Sequence, residues 1–190
     1  GVQTKSLELS AAVAARGEVG EGLVARLNLP PGRYDLRAAV ADEFSGLTGT
    51  VFSFVDVPAF AHGPLTASGV LLHRAHPPVM PANPLADVVP FVPTVARAFQ
   101  RTEDVRAFVR FYQSGPPRSS SVRARVIDAL GGSVFDRRTE LGAGTFIAGT
   151  ADFDLPLPLT ELVPGDYLLR IETSIGEAIV ERDVRFSVVR

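Results

Sequence analysis

Three histidines, His62, His73 and His76, lie within fifteen positions of one another. His73-Arg74-Ala75-His76, followed by Pro77-Pro78, offers two imidazoles, with Asp87 as a third metal ligand. Zinc needs ligands converging at about 2 Å in tetrahedral geometry, and Arg74 between the histidines repels a dication. The three therefore read as exposed loop histidines, with no metal and no cofactor expected. Asp152 and Asp154 share one strand face, and Asp42-Glu43 occupy a turn. Calcium wants more oxygen ligands in one loop than either place holds. A glycosidase pair needs two carboxylates facing each other across a cleft. These acids read as solvated strand and turn residues. With no cysteine, disulfides, thiol catalysis and cysteine-ligated zinc are excluded. There is no G-x-S-x-G, H-E-x-x-H or Walker loop. In Gly142-Ala143-Gly144-Thr145 the next glycine, Gly149, comes too late for a dinucleotide fingerprint. No catalytic constellation emerges, and the chain is expected not to be an enzyme.

The arginines are the other chemistry. Of 19 basic residues, Lys5 is the only lysine. Arginine can recognise anions through two parallel hydrogen bonds, but a coding bias is the simpler explanation of the ratio. The period of two places Arg106, Arg110, Arg123 and Arg125 on the outer face of one hairpin, beside Phe108 and Tyr112. Such a face is the candidate binding surface, suited to an acidic peptide, an anionic glycan or a phosphate backbone. From Arg97 to Glu140 nine arginines oppose five acids, but residues 59–190 balance at 14 of each sign. A salt-bridged, solvated sheet face is the simpler reading. With a net charge of −2, nucleic acid is not an expected partner.

The elements that must position these residues are strands. In 190 residues, 46% apolar, 15 prolines and 17 glycines are scattered along the whole chain. No apolar run reaches the length of a membrane-spanning helix. The best helical candidate, Ala86–Gln100, carries Pro90 and Pro93, which remove donors and restrict their predecessors, so it reads as extended. Alternation predicts strands over Lys5–Ala14, Gly22–Leu27, Arg33–Ala41, Gly49–Val57, Leu65–His73, Thr94–Phe99, Val105–Tyr112, Val122–Ala129, Ser133–Thr139, Thr145–Asp152, Asp166–Thr173 and Ala178–Val189. The polar loop Gln113–Ser121 suggests that the strands on either side of it form a hairpin. Many short, punctuated strands specify an all-β, immunoglobulin-like antiparallel sandwich.

An internal repeat divides the chain. Leu29-Pro30-Pro31-Gly32-Arg33-Tyr34-Asp35-Leu36-Arg37 recurs as Leu162-Val163-Pro164-Gly165-Asp166-Tyr167-Leu168-Leu169-Arg170. Pro-Gly suits the centre of a type II turn. Tyr34 and Tyr167 then occupy the place of the tyrosine corner of immunoglobulin-like sandwiches, where the phenol bonds back to the upstream backbone. Phe52-Ser53-Phe54-Val55 and Phe186-Ser187-Val188-Val189 read as matching second strands. The repeat predicts modules in tandem: residues 1–58 as the C-terminal part of a first sandwich lacking its front, 59–64 as linker, and 65–190 as a second sandwich.

The phrases Leu27–Arg37, Gly49-Thr50-Val51-Phe52, Val57-Pro58-Ala59-Phe60, Gly63-Pro64-Leu65 and Ser68-Gly69 resemble the C-terminal β-sandwich region of bacterial von Willebrand factor A-related domain proteins. Pro93-Thr94, Arg97, Phe99 and Val105–Tyr112 fit it as well. These are turn and strand words without a catalytic residue. The adhesion motif D-x-S-x-S does not occur, so no magnesium site is implied. The resemblance implies an exported bacterial protein, secreted or periplasmic. The expected role is a non-catalytic spacer or protein-interaction module without membrane insertion. The alternatives are a binding module for an anionic glycan or acidic peptide, and an accessory domain of a hydrolase.

Overall fold

The computed structural model of the chain describes residues 27–41, 45–60, 63–75 and 85–190. The expected strand Lys5–Ala14, all of Gly22–Leu27 except Leu27, the turn acids Asp42-Glu43, and His62 and His76 lie outside these. Eleven strands form in the described residues, with two short 3-10 turns and no α-helix. They are β1 Gly32–Ala41, β2 Thr48–Val57, β3 Thr66–Ala67, β4 Leu71–Arg74, β5 Ala98–Gln100, β6 Val105–Tyr112, β7 Ser120–Asp128, β8 Ser133–Leu141, β9 Thr150–Pro156, β10 Gly165–Ile175 and β11 Ala178–Val189.

Strands β3 to β11 make a two-sheet sandwich. One sheet runs β5-β11-β10-β7-β8, antiparallel throughout except that β5 lies parallel to β11. In the other, β6 is central, with β9 along one side and β3 and β4 in succession along the other. This is an immunoglobulin-like, two-sheet arrangement, with β6 and β10 at the two sheet centres. The expected strand Leu65–His73 is interrupted at Ser68–Val70, where the Ser68 hydroxyl accepts from the Arg110 amide and displaces the ladder. The expected strand Thr145–Asp152 begins later, at Thr150. Residues Ala143–Thr145 form a 3-10 turn instead, and Gly149, with φ +77°, redirects the chain.

The core follows from alternation. Val105, Ala107, Val109 and Phe111 of β6 and Ala151, Phe153 and Leu155 of β9 face Val122, Ala124 and Val126 of β7, Leu169 and Ile171 of β10, and Phe186 of β11, all buried. Leu169 stands two residues after Tyr167, where antibody domains place an inter-sheet cysteine. Here apolar packing alone bridges the sheets at that level. Burying each of the larger side chains among them, Val, Leu, Ile or Phe, contributes roughly 1.5–3 kcal/mol.

One expectation fails. Strands β6 and β7 do not form a hairpin: β6 pairs with β3, β4 and β9, and β7 with β10 and β8. Each strand carries one apolar face, and those faces meet across the core rather than lying side by side in one sheet. The loop 113–119 crosses from one sheet to the other, closed by Gln113, whose side chain bonds both the amide and the carbonyl of Arg118.

Strands β1 and β2 form a separate two-stranded sheet. Its register pairs Tyr34 with Val55, and that of β10–β11 pairs Tyr167 with Phe186. Val55 therefore corresponds to Phe186, which shifts the sequence match of the second strands by three positions. The hydroxyl of Tyr34 donates to the Pro30 carbonyl at 2.8 Å, and that of Tyr167 to the Val163 carbonyl at 2.7 Å. The same hairpin with the same corner thus occurs twice.

Candidate functional site

The six residues of the expected binding face divide between the two outer faces of the sandwich, because β6 and β7 belong to different sheets. Arg106, Phe108, Arg110 and Tyr112 point outward from the smaller sheet. Arg123 and Arg125 point outward from the five-stranded sheet on the far side. These six residues therefore do not make one arginine–aromatic surface.

On the smaller sheet the face is already occupied. Arg106 donates through Nε to Asp154 Oδ2 at 2.8 Å, and Arg110 grips Asp152 with Nε and Nη2. The antiparallel register sets Arg110 directly opposite Asp152, whereas Arg106, opposite Pro156, reaches diagonally to Asp154, which stands opposite Phe108. The bond to Asp152 raises the affinity of the Arg110 guanidinium for its proton, against a smaller opposing effect of burial. Arg110 also donates to the Val88 carbonyl, so the segment 85–91 laps over this sheet. Phe91 from that segment stacks on His73 at 3.9 Å and meets Phe108 edge-on at 5.0 Å, leaving Phe108 buried. Tyr112 packs against Phe60 at 4.7 Å, and its burial holds the phenol proton more firmly than usual.

His73 is buried rather than an exposed loop histidine. Its position on β4 opposite Arg106 brings Nε2 within 3.2 Å of Asp154 Oδ1. An ionised carboxylate only accepts, so Nε2 carries the hydrogen. Its Nδ1 is buried without a partner. This His73–Asp154–Arg106 cluster is where acid–base groups converge. Among the described residues no three His, Cys, Asp or Glu side chains gather as a metal site.

The five-stranded sheet carries a charge ladder on its outer face. Arg170 bonds Asp183 at 2.8–3.0 Å, Arg123 grips Asp136, and Arg125 lies 3.8 Å from Glu172. The Arg123 bonds hold the Asp136 carboxyl below the usual carboxylate range. One row further along, the ladder stops. Arg185, Leu168 and Ile127 stand side by side on β11, β10 and β7. Beyond them Asp166 accepts from the Ser187 hydroxyl at 2.6 Å. Arg97 closes the side beside β5, its carbonyl taking the Ser187 amide. Together with Asp128 these residues line an open groove of about 600 Å³. Sequence reasoning missed the groove. Its traces are Ile127 and Leu168, apolar residues at outward positions that continue the rows of Arg123 and Arg125 on β7 and Arg170 on β10.

No protein-family model matches the chain, and no curated protein matches it. Among solved structures it is similar to dimeric latent PorU from Porphyromonas gingivalis (17% identity, TM-score 0.37), covering 85% of this chain and 12% of PorU. It is similar to the C-terminal domain of wzt (11% identity, TM-score 0.41), covering 68% of this chain and 76% of that domain. A β-glucuronidase from Parabacteroides merdae is similar at 14% identity and TM-score 0.37, covering 72% of this chain and 15% of the enzyme.

Proposed function

We propose that this chain is a non-catalytic β-sandwich segment of a larger exported bacterial protein, in which it spaces or docks neighbouring domains. The observation that carries this reading is the repeated hairpin, with its tyrosine corner built twice in one chain. Repetition of a structural unit is the means of making an extended, modular segment. The ion pairs of Arg106, Arg110, Arg123 and Arg170 on the outer faces support it, since those guanidinium groups are already engaged. Export is supported by the resemblance to von Willebrand factor A-related proteins. The alternative is an accessory domain of a hydrolase, in which case the docking partner is the catalytic domain.

The test is turnover. The purified chain, assayed with chromogenic glycosides, esters and peptides, is expected to release no product above buffer. Turnover abolished by Asp154→Asn or His73→Ala would overturn the non-catalytic reading, because those residues form the convergent acid–base cluster.

A further inference from the structure

We propose that the groove on the outer face of the five-stranded sheet is a binding site for an acidic saccharide, one bearing a uronic-acid carboxylate. This goes beyond the reading of the chain as a spacer or docking segment and gives it a ligand.

The argument begins with charge. Toward the far end of this face Arg123, Arg125 and Arg170 each have a carboxylate partner. Arg97 and Arg185 have none among the described residues, although both are exposed and both line the groove. Arg97 is nonetheless held in place: its Nη1 donates to the carbonyls of Thr94 and Ala96, which leaves Nε and Nη2 free. A fixed guanidinium beside a second, unpaired one is a receptor for a carboxylate.

The floor and the opposite wall decide what carries that carboxylate. Leu168 lies between Arg185 and Ile127 in one row across three strands. The row spans roughly 10 Å at the usual strand spacing, the width of a pyranose ring with its substituents. Half-buried Leu168 and Ile127 offer an aliphatic platform to the C–H face of a ring. Asp166 and Asp128 stand at the other side. Oδ1 of Asp166 takes the Ser187 hydroxyl, and Oδ1 of Asp128 takes the amides of Leu130 and Gly132, so each retains an Oδ2 with no described partner. Carboxylate oxygens accept from hydroxyls and repel further anions. Two arginines for one carboxylate, an aliphatic floor and two acids for hydroxyls match a polyol acid. An acidic peptide brings carboxylates but no ring hydroxyls to donate to Asp128 and Asp166.

The experiment is a chemical-shift titration of the labelled chain with tetragalacturonate, with neutral galactotetraose and tetraglutamate in parallel. Tetragalacturonate at millimolar concentration is expected to shift the amides of Ile127, Leu168 and Arg185, and galactotetraose to bind at least tenfold more weakly. Arg97→Gln and Arg185→Gln are each expected to weaken binding about tenfold or more, the effect of one charged hydrogen bond. Arg123→Gln, at an ion-paired site on the same face, is expected to leave it unchanged. An unaltered amide spectrum outside the groove shows that the variants fold. Absence of shifts with tetragalacturonate, equal binding of the neutral sugar, tighter binding of tetraglutamate, or insensitivity to both arginine variants would overturn the proposal. None of these outcomes bears on turnover, so this site and the non-catalytic reading fail separately.

Discussion

Replacing Tyr167 by phenylalanine isolates one hydroxyl. The ring lies 5.6 Å from Phe186, stacked at 26°, and phenylalanine preserves that contact. What disappears is the 2.7 Å bond to the Val163 carbonyl. Val163 is exposed, so water can reach the carbonyl that loses its donor. The cost is then the net value of a hydrogen bond, about 1 kcal/mol, rather than the larger penalty of a buried orphan. A domain of this size converts that into a fall in melting temperature of roughly 2–6 °C. Tyr34→Phe is the internal control, because the same bond at 2.8 Å closes an exposed corner. Its loss is expected to move the transition by less than half as much. Calorimetry on the whole chain reads both. An unchanged transition in Tyr167→Phe would refute the reasoning, as would a Tyr34→Phe effect of equal size, since the solvent exposure of the corner would then be irrelevant.

Gly149→Ala is expected to destabilise the sandwich by about 1–3 kcal/mol, because φ is +77° and a Cβ there would approach the Gln113 carbonyl to 2.7 Å; chemical denaturation measures it. Leu169→Ala, at a fully buried site between the sheets, is expected to cost about 2–5 kcal/mol in the same experiment. The Asp136 carboxyl, held low by its bonds to Arg123, stabilises the folded state above the unfolded carboxyl pKa, near pH 4. That contribution disappears as the pH falls through the folded value. Asp136→Asn is therefore expected to flatten the loss of stability as the pH falls below about 4, read from urea midpoints at successive pH values.

Strand identity was legible because the apolar period is short-range information. Val105–Tyr112 and Ala178–Val189 are strands over the residues their alternation predicts. Strand partners were not legible. The alternation of Val122, Ala124 and Val126 says which side of β7 is buried, but not against which strand it pairs. Assigning β6 and β7 to one hairpin therefore merged two opposite surfaces into one arginine face. His73 shows the same limit: a histidine near prolines reads as loop, whereas Phe91, eighteen positions on, covers it. The groove was hidden for a related reason, since Arg97, Ile127, Leu168 and Arg185 are scattered in sequence and only the order β5-β11-β10-β7 assembles them.

The sandwich admits the chain at one end and releases it at the other: Thr66 of β3 pairs with Tyr112 at the end where β6 finishes, while Val188 of β11 pairs with Gly165 at the opposite end. Tension applied along the polypeptide would draw β11 lengthwise past β5 and β10. Its inter-strand bonds would be loaded side by side, in shear, rather than peeled one after another. Such a geometry resists pulling collectively, so the module behaves as a stiff link with an abrupt yield point instead of a gradually lengthening spring.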